Sequence, residues 1–408
     1  MDGGQPRHCS PGMERLIAEL DDALAARNAA GLARQRRTLD SPQGARLRVD
    51  GRELLHFGSN DYLGLAADPR LIAAAQRGAE TYGVGAGASH LISGHFSAHD
   101  ALERELAAWV APCAGARALL FSTGYLANLA IVTALCGRGD AVFGDRLNHA
   151  CLNDAALLSR ASFVRYRHCD LDDLSRRLAG SGAKRKLICT DAVFSMDGDI
   201  APLPRLLDLA QTHDAWLIVD DAHGFGVTGG GRGTLARFGL ASERLVYMGT
   251  LGKAAGVAGA FVAAHPAVIE TLVQTARSYI FTTAAPPLLA CALRASLAII
   301  ESEPERRERL LARIQRFRVG AEALRWRLLP SETAIQPLVL GANAEALRVS
   351  EALWRRGLWV PAIRPPTVPR GSARLRITLT AAHAEGDIDT LLTALTDVAK
   401  EAASAGAQ

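Results

Sequence analysis

The chain has 408 residues, of which 49% are hydrophobic and 22% are charged, and its formal net charge is +4 at pH 7. This composition is typical of a globular protein with one large and one smaller domain, or with two to three domains. The small net charge, and the lack of a Lys/Arg block interleaved with aromatic residues, speak against a nucleic-acid partner. No run of about eighteen apolar residues and no signal-peptide core occurs, so we expect neither a membrane span nor export. The seven cysteines are scattered without a Cys-x-x-Cys pair, which indicates neither a zinc knuckle nor a disulfide framework and fits a reducing cytoplasm.

The N-terminal segment carries leucines at helical spacing between residue 13 and about residue 37, which predicts one or two amphipathic helices. They end in an arginine cluster that includes Arg34. Such a cluster fits a solvated helix end near the negative pole of the dipole or, alternatively, an anion site. Apolar and polar residues alternate from Leu47 to Phe57, which predicts a hairpin. The polar stretch 59–64 ends it. The glycine-rich stretch 82–90 lacks the preceding strand that a dinucleotide-binding fingerprint needs.

Short apolar runs alternate with helical patterns from about Arg117 to Phe261. We predict six strands here, at 118–121, 141–143, 186–190, 216–219, 246–248 and 260–262. Strands separated by helices imply βαβ units, and therefore a mostly parallel central sheet covered on both faces. After about Thr283 a long charged helix and short strands predict a smaller α+β domain. The sequence thus divides into an N-terminal helical arm and hairpin (1–57), a large α/β domain (58–290) and a small C-terminal domain (291–408).

Lys253 lies on a glycine-rich turn, Thr250–Gly256, directly after the predicted strand at 246–248. Active sites of open α/β sheets gather at the carboxyl ends of the strands. Burial among small neighbours would lower the pKa of the lysine from about 10.4 to about 7–8, leaving a neutral amine able to form a Schiff base. The alternative is a solvated lysine beside a turn, and the other motifs have to decide between the two.

Three further motifs follow predicted strands. Gly124 begins an apolar helix, where unpaired N–H groups can bind phosphate. Asp220 ends a buried strand, and His223 follows; the carboxylate could cap the next helix, ligate a metal, or pair with a protonated pyridine nitrogen. No third and fourth ligand occur at recognisable spacing, so we expect no zinc site. His149 fits a core or surface histidine when taken alone, and a ring stacked on a cofactor when taken with the other motifs.

Together these motifs resemble the PLP-dependent α-oxoamine synthases, which have the aspartate-aminotransferase fold (fold type I). The set comprises Gly124-Tyr125 after a strand, His149, Phe194–Asp199, Asp220-x-Ala222-His223 and Thr250-x-Gly252-Lys253. The likeness extends from about Met13 to about Leu395, and it is specific because the motifs occur together in the right order. It implies an α/β PLP-dependent transferase fold, pyridoxal 5′-phosphate (PLP) as the cofactor, and no metal.

The resemblance also implies a role for each motif. Lys253 would hold PLP covalently and remove the α-proton of the amino acid, Asp220 would pair with the pyridinium, and His223 would hydrogen-bond the phenolic oxygen. His149 would stack on the ring and contact the substrate. The other cofactor contacts would come from Gly124, Tyr125, Ser195, Thr250 and, in a neighbouring subunit, Thr282 or Thr283. Contacts from a neighbour imply a homodimer with shared sites.

The substrate contacts follow in the same way. Asn60, Arg364 and Thr367 fall where the family binds the amino-acid carboxylate, which suits the fork of a guanidinium. Arg34 falls where the acyl substrate is contacted. The region 362–380 looks like the members that join L-alanine to a pimeloyl thioester with loss of carbon dioxide, in biotin synthesis. We expect that condensation here, with coenzyme A or an acyl carrier protein as the carrier.

Two other functions stay open at this point. One keeps the cofactor and changes the substrates to glycine with acetyl- or succinyl-CoA, or to serine with a long acyl chain; the stretch 364–367 favours alanine instead. The other is a cofactor-binding or scaffold subunit without catalysis. The presence of Lys253 argues against this alternative.

Overall fold

The computed structural model describes residues 11–405, so the first ten residues of the predicted arm and the last three of the predicted C-terminal domain lie outside it. The strands are β1 Arg46–Val49, β2 Arg52–His56, β3 Arg117–Phe121, β4 Ala141–Asp145, β5 Ser162–Tyr166, β6 Lys186–Asp191, β7 Trp216–Asp220, β8 Leu245–Thr250, β9 Ala260–Ala264, β10 Arg327–Leu328, β11 Ile335–Gly341, β12 Leu358–Trp359, β13 Ala362–Ile363 and β14 Ala373–Thr378. The helices are α1 Pro11–Ala29, α2 Pro69–Tyr82, α3 Ser97–Val110, α4 Gly124–Leu135, α5 Ala150–Ser159, α6 Leu171–Ala179, α7 Leu203–Thr212, α8 Thr234–Arg237, α9 Pro266–Thr275, α10 Arg277–Ile280, α11 Pro287–Ser302, α12 Pro304–Ala321, α13 Asn343–Arg355 and α14 Glu385–Ala405.

A seven-stranded sheet of order β3-β9-β8-β7-β6-β4-β5 forms the centre of the molecule. Six of its strands are parallel, and β9 alone runs antiparallel to both of its neighbours, β3 and β8. Each of the six predicted strands lies within a strand of this sheet, and the α/β fold class with a mostly parallel sheet is confirmed. Edge strand β5 was not predicted, because its exposed and half-buried residues interrupt the apolar pattern.

The sheet is buried on both faces, which explains its continuous apolar runs. Along β7, Leu217 and Val219 belong to one hydrophobic cluster, whereas Ile218 between them belongs to the cluster on the opposite face. The same alternation separates Phe143 from Val142 in β4. Because successive side chains of a strand point to opposite faces, helices must cover both sides.

Two small sheets accompany the central one. The hairpin β1–β2 pairs in the antiparallel sense, as the alternation from 47 to 57 predicted, and β12 adds to it in parallel from far along the chain. Strands β10, β11, β14 and β13 form a four-stranded antiparallel sheet. Among the described residues, no helix is long and apolar enough to cross a membrane.

The N-terminal helix is shorter than its leucine spacing suggests: α1 ends at Ala29, not near Arg37. Gly31 adopts a φ of 64°, and the amides of Gly31 and Leu32 bond back to the carbonyls of Asn28 and Arg27. This left-handed glycine closes the helix. Arg34 therefore lies in irregular chain after the helix.

The turn that carries Lys253 depends on a close approach between two parts of the backbone. Gly256 has a φ of 71°, and a Cβ at this position would lie 2.7 Å from the amide nitrogen of Ala66. Both constraints call for glycine. The final residue of the glycine-rich motif therefore lets the Thr250–Gly256 turn pack against the chain that leads into α2.

Helices α2 and α11 pack most closely at Gly78, which suggests a test of the fold. A Cβ at residue 78 would lie 2.9 Å from the Cα of Leu288. We expect Gly78→Ala to lower the free energy of unfolding by about 1–3 kcal/mol through overpacking. The helical control is Gly386→Ala, where nothing lies within 4 Å of the new Cβ; it should be neutral or stabilise by up to about 1 kcal/mol. Urea denaturation measures both, and equal effects would contradict the close packing.

Candidate active site

The carboxyl ends of the parallel strands converge on one edge of the central sheet. The chain passes from these ends directly into the motifs found in the sequence: β3 into Gly124, β4 into His149, β6 into Ser195, β7 into His223 and β8 into Lys253. Parallel strands necessarily present their carboxyl ends at a common edge, where ligands of open α/β sheets bind. Five motifs that are spread over 130 residues of sequence thereby become neighbours.

A cavity of about 890 Å³ opens at this edge. Six of the site residues that the sequence predicted line this cavity: Asn60, His149, Ser195, His223, Lys253 and Thr367. Arg376 lines the same cavity, although the sequence did not indicate it. Arg34 and Arg364 lie outside, in an adjoining cavity of about 320 Å³ that shares Thr367 with the first.

Lys253 is half-buried among the residues that line this cavity, and its Nζ lies 2.9 Å from Nε2 of His223. Burial is the largest influence on its pKa, followed by the opposing attraction of Asp220, and the pKa falls to about 8. Burial also lowers the pKa of His223 well below its usual value, as does the nearby Lys253. The site therefore pairs a lysine that readily becomes a neutral amine with a neutral imidazole.

Asp220 stands at the end of β7 with both carboxylate oxygens engaged. Oδ1 accepts a hydrogen bond from the amide of Ala222 at 3.0 Å, and Oδ2 accepts one from Nδ2 of Asn128 at 2.7 Å. Asp191 is its partner across the β6–β7 ladder. Burial, and then the charge of Asp220, raise the pKa of Asp191 well above its usual value. This shift favours the protonated form of Asp191 beside the Asp220 carboxylate.

His149 caps the N-terminus of α5, and its side chain is exposed to the cavity. Its main-chain N–H donates to Oδ1 of Asp191 at 3.1 Å. Its Nδ1 accepts from the amide of Cys151 at 3.3 Å and lies 2.8 Å from Sγ of Cys151. The ring is thus held at its Nδ1 side by the first turn of the helix.

The start of α4 provides a site for an anion. Thr123 caps the helix by accepting from Leu126, and within the described chain no partner is found for the amides of Gly124 and Tyr125. Two free N–H groups at the N-terminus of a twelve-residue helix attract a phosphate. Thr250, the last residue of β8, donates a hydrogen bond from its hydroxyl to the carbonyl of Gly259.

The residues at this edge fit PLP. They combine an amine of lowered pKa, a hydrogen-bonded carboxylate, a histidine exposed to the cavity and a helix start with free N–H groups, which are the groups that this cofactor uses. Thr282 and Thr283 are not among the residues that line the cavity. Thr283 instead forms a β-bridge with Ser89 and is exposed.

Arg376 is the clearest functional residue that the sequence did not reveal. Its Nε donates to the carbonyl of Ser195 at 2.6 Å, and both terminal nitrogens contact Oδ1 of Asn60. No carboxylate in the described chain pairs with it, although it is buried. Arg364, the predicted carboxylate ligand, instead donates to the carbonyls of Gly31 and Ala33.

The lowered pKa of Lys253 leads to a testable pH dependence. Below about pH 8 the folded protein must bury a charged ammonium, whereas the unfolded chain keeps its proton up to about 10.5. The unfolded state therefore binds more protons between these values, and stability rises with pH by about 3 kcal/mol across the window. Lys253→Met should remove this contribution in the cofactor-free protein. Urea denaturation on either side of the window measures it; an unchanged difference between variant and wild type would contradict the burial of the amine.

Comparison with known proteins agrees with this geometry. Residues 52–395 match the family aminotransferase class I and II. The 8-amino-7-oxononanoate synthase of Nitrosomonas europaea is 59% identical over 389 residues, which cover 94% of this chain and 100% of the relative. The solved 8-amino-7-oxononanoate synthase of Francisella tularensis is 31% identical with a TM-score of 0.75, covering 86% of this chain and 98% of that one. A serine palmitoyltransferase variant from S. paucimobilis with a bound PLP–myriocin aldimine is 31% identical with a TM-score of 0.87, covering 97% and 99%. The chain therefore belongs to the class I and II aminotransferase family and, within it, to the PLP-dependent 8-amino-7-oxononanoate synthases.

Proposed function

We propose that this protein condenses L-alanine with a pimeloyl thioester to give 8-amino-7-oxononanoate, carbon dioxide and the free thiol of the carrier. The family to which the chain belongs supports this reaction. The observation in the structure that carries the proposal is a buried guanidinium without a carboxylate partner, Arg376, in the same cavity as the Lys253 amine. A site of this kind suits a ligand that brings its own carboxylate, as an amino acid does.

The alanine carboxylate is assigned to Arg376 and Asn60, which replaces the assignment of Arg364 from the sequence. Arg376 is fixed by the carbonyl of Ser195 and by Thr378 Oγ1, at 3.0 Å, so its orientation is set before the substrate arrives. Pre-organised charged donors lose little entropy on binding. Arg364 uses one donor of each terminal nitrogen on the main-chain carbonyls of Gly31 and Ala33.

PLP, when bound, supplies the electron sink for the carbanion that forms after the α-proton is lost. In the proposed reaction Lys253 takes that proton with its Nζ, which its lowered pKa leaves free to accept it near neutral pH. Asp220 would pair with the ring nitrogen, and His223 would hydrogen-bond the phenolic oxygen. His149 would cover one face of the ring, and Ser195, Thr250, Gly124 and Tyr125 would hold the cofactor in place.

The adjoining cavity is suited to the acyl donor. It is lined by Arg34, Arg364 and Thr367, and Thr367 also lines the cavity of Lys253. An acyl chain that enters along this path would reach the alanine carbon from the side of the N-terminal arm. Arg34 is exposed and could contact the anionic parts of the donor. Coenzyme A and an acyl carrier protein both remain candidate carriers for the thioester.

We further propose a homodimer in which Thr282 or Thr283 completes the phosphate site of the partner subunit. Within one chain these threonines lie away from the cavity. Two large apolar side chains near them in the chain are exposed: Phe281, next to Thr282, is 70% exposed, and Ile92, three residues after the bridge partner of Thr283, is 80% exposed. Exposed apolar patches of this kind mark protein interfaces, and a second copy of the chain would cover this one.

The test of the function is a comparison of turnover between amino acids and acyl thioesters. The PLP-loaded protein should release carbon dioxide with L-alanine and pimeloyl-CoA far faster than with glycine and acetyl-CoA or with serine and palmitoyl-CoA. Borohydride treatment should attach the cofactor irreversibly to Lys253, as peptide mapping can verify. Faster turnover with either of the other pairs would replace the proposed substrates, and an adduct at another lysine would overturn the assignment of the site.

Two arginine variants separate the carboxylate site from the acyl path. Arg376→Gln should raise the KM for alanine by about 10- to 150-fold, because a hydrogen bond to a charged group is worth about 1.5–3 kcal/mol. Arg364→Gln should instead change the KM for the pimeloyl thioester and leave that for alanine near the wild-type value. Steady-state kinetics with each substrate varied in turn measures both. The reverse pattern would restore the assignment made from the sequence.

A further inference from the structure

A continuous chain of hydrogen bonds connects Asp220 to His149 through two residues that have no role in the mechanism above. Nδ2 of Asn128 lies 2.7 Å from Oδ2 of Asp220 and 3.1 Å from Sγ of Cys151. Sγ of Cys151 lies 2.8 Å from Nδ1 of His149. Asn128 is fully buried and Cys151 is 2% exposed, so the connection is shielded from water.

The direction of each bond follows from the donors available. The amide of Cys151 points at Nδ1 of His149, so this nitrogen is an acceptor and cannot carry a proton. The thiol at 2.8 Å can then act only as a second donor that shares this acceptor with the amide. Burial raises the pKa of the Cys151 thiol to about 12, which keeps the proton on sulfur. Because Nδ1 accepts, the neutral ring carries its proton on Nε2.

The orientation of the Asn128 amide gives independent support. Its two N–H groups face Asp220 and Cys151, and its Oδ1 is left buried without a partner. An unsatisfied buried acceptor costs about 1–3 kcal/mol. The opposite orientation would place Oδ1 against the Asp220 carboxylate, with two acceptors facing each other, so the charge of Asp220 fixes the amide as a donor on this side.

We propose that Asn128 and Cys151 are positioning residues that hold the His149 ring in its Nε2–H form and in fixed register with the Asp220 carboxylate. The inference rests on the proposed function, in which Asp220 pairs with the edge of the cofactor ring and His149 covers its face. These two contacts constrain the same ring from different directions. The hydrogen-bonded link between Asp220 and His149 would fix the position of the His149 ring relative to the Asp220 carboxylate. The link is made by Asn128 and Cys151, whose side chains touch neither cofactor nor substrate.

The test compares three variants of the PLP-loaded enzyme. Cys151→Ala removes the thiol donor, and Cys151→Ser restores a donor in nearly the same place. The control is Cys136→Ala, which makes the same change at a buried cysteine in the C-cap of α4, away from the cavity. NMR of the protein labelled with ¹⁵N-histidine reports which ring nitrogen of His149 carries the proton and how fast the ring moves. Steady-state kinetics gives kcat and KM.

We expect Cys151→Ala to lower kcat about three- to tenfold, the equivalent of one neutral hydrogen bond, with the KM for alanine unchanged. Its His149 signals should keep the Nε2–H tautomer, which the main-chain amide of residue 151 still holds, but should show faster ring motion because the side-chain contact at 2.8 Å is lost. Cys151→Ser and Cys136→Ala should keep the wild-type signals and kcat within about twofold of wild type.

The proposal is overturned if Cys151→Ala matches Cys136→Ala in both measurements, or if Cys151→Ser loses as much as Cys151→Ala. Should the alanine variant fail to fold, the serine variant alone decides, since it must retain the Nε2–H signal. The NMR result does not depend on turnover, so it can fail or succeed separately from the proposed reaction.

Discussion

The Lys253 amine is buried at the edge of a sheet that is itself buried on both faces, within electrostatic reach of Asp220 and Arg376. Burial makes the charged form of the lysine costly, and most of the surrounding structure follows from this constraint. The turn that carries the lysine needs Gly256 to pack against the chain before α2. His223, the hydrogen-bond partner of the amine, must itself stay neutral, because a second cation at 2.9 Å would repel the first.

The sequence predicted the central sheet well because a strand buried on both faces is a continuous apolar run between turn residues. The same reasoning could not assign the direction of β9, since an apolar run carries no information about which way the chain returns. It also missed β5 at the edge, which is partly exposed. A short strand was predicted at 359–360, where β12 lies, but its pairing with β2 joins residues about 300 positions apart in the chain and was not predicted. Pairing at that distance depends on the packed fold and leaves no local pattern.

The site residues divide in the same way into those that the sequence predicts and those that it does not. Lys253, His223 and His149 could be found from the sequence because each follows a strand end directly, and strand ends converge. The predicted carboxylate arginine, Arg364, also lies in a loop, and loops are where binding residues are usually sought. Arg376 instead lies inside β14, where the sequence shows it as one of the polar residues that alternate with apolar ones along the strand. Its role emerges only when β14 is seen to bring it to Asn60 and Ser195.

The charges of the cavity favour an amino acid as the ligand. Burial raises the pKa of Asp191 well above its usual value, which favours its protonated form, and in the proposed reaction Asp220 would balance the charge of the protonated cofactor ring. Lys253 readily gives up its charge, whereas the Arg376 cation has no carboxylate partner among the described residues. A substrate carboxylate would complete the balance, whereas a neutral amine would leave a buried guanidinium unpaired, at a cost of several kcal/mol. Selection of the amino acid therefore begins with charge, before the side chain of the substrate is tested by the shape of the cavity.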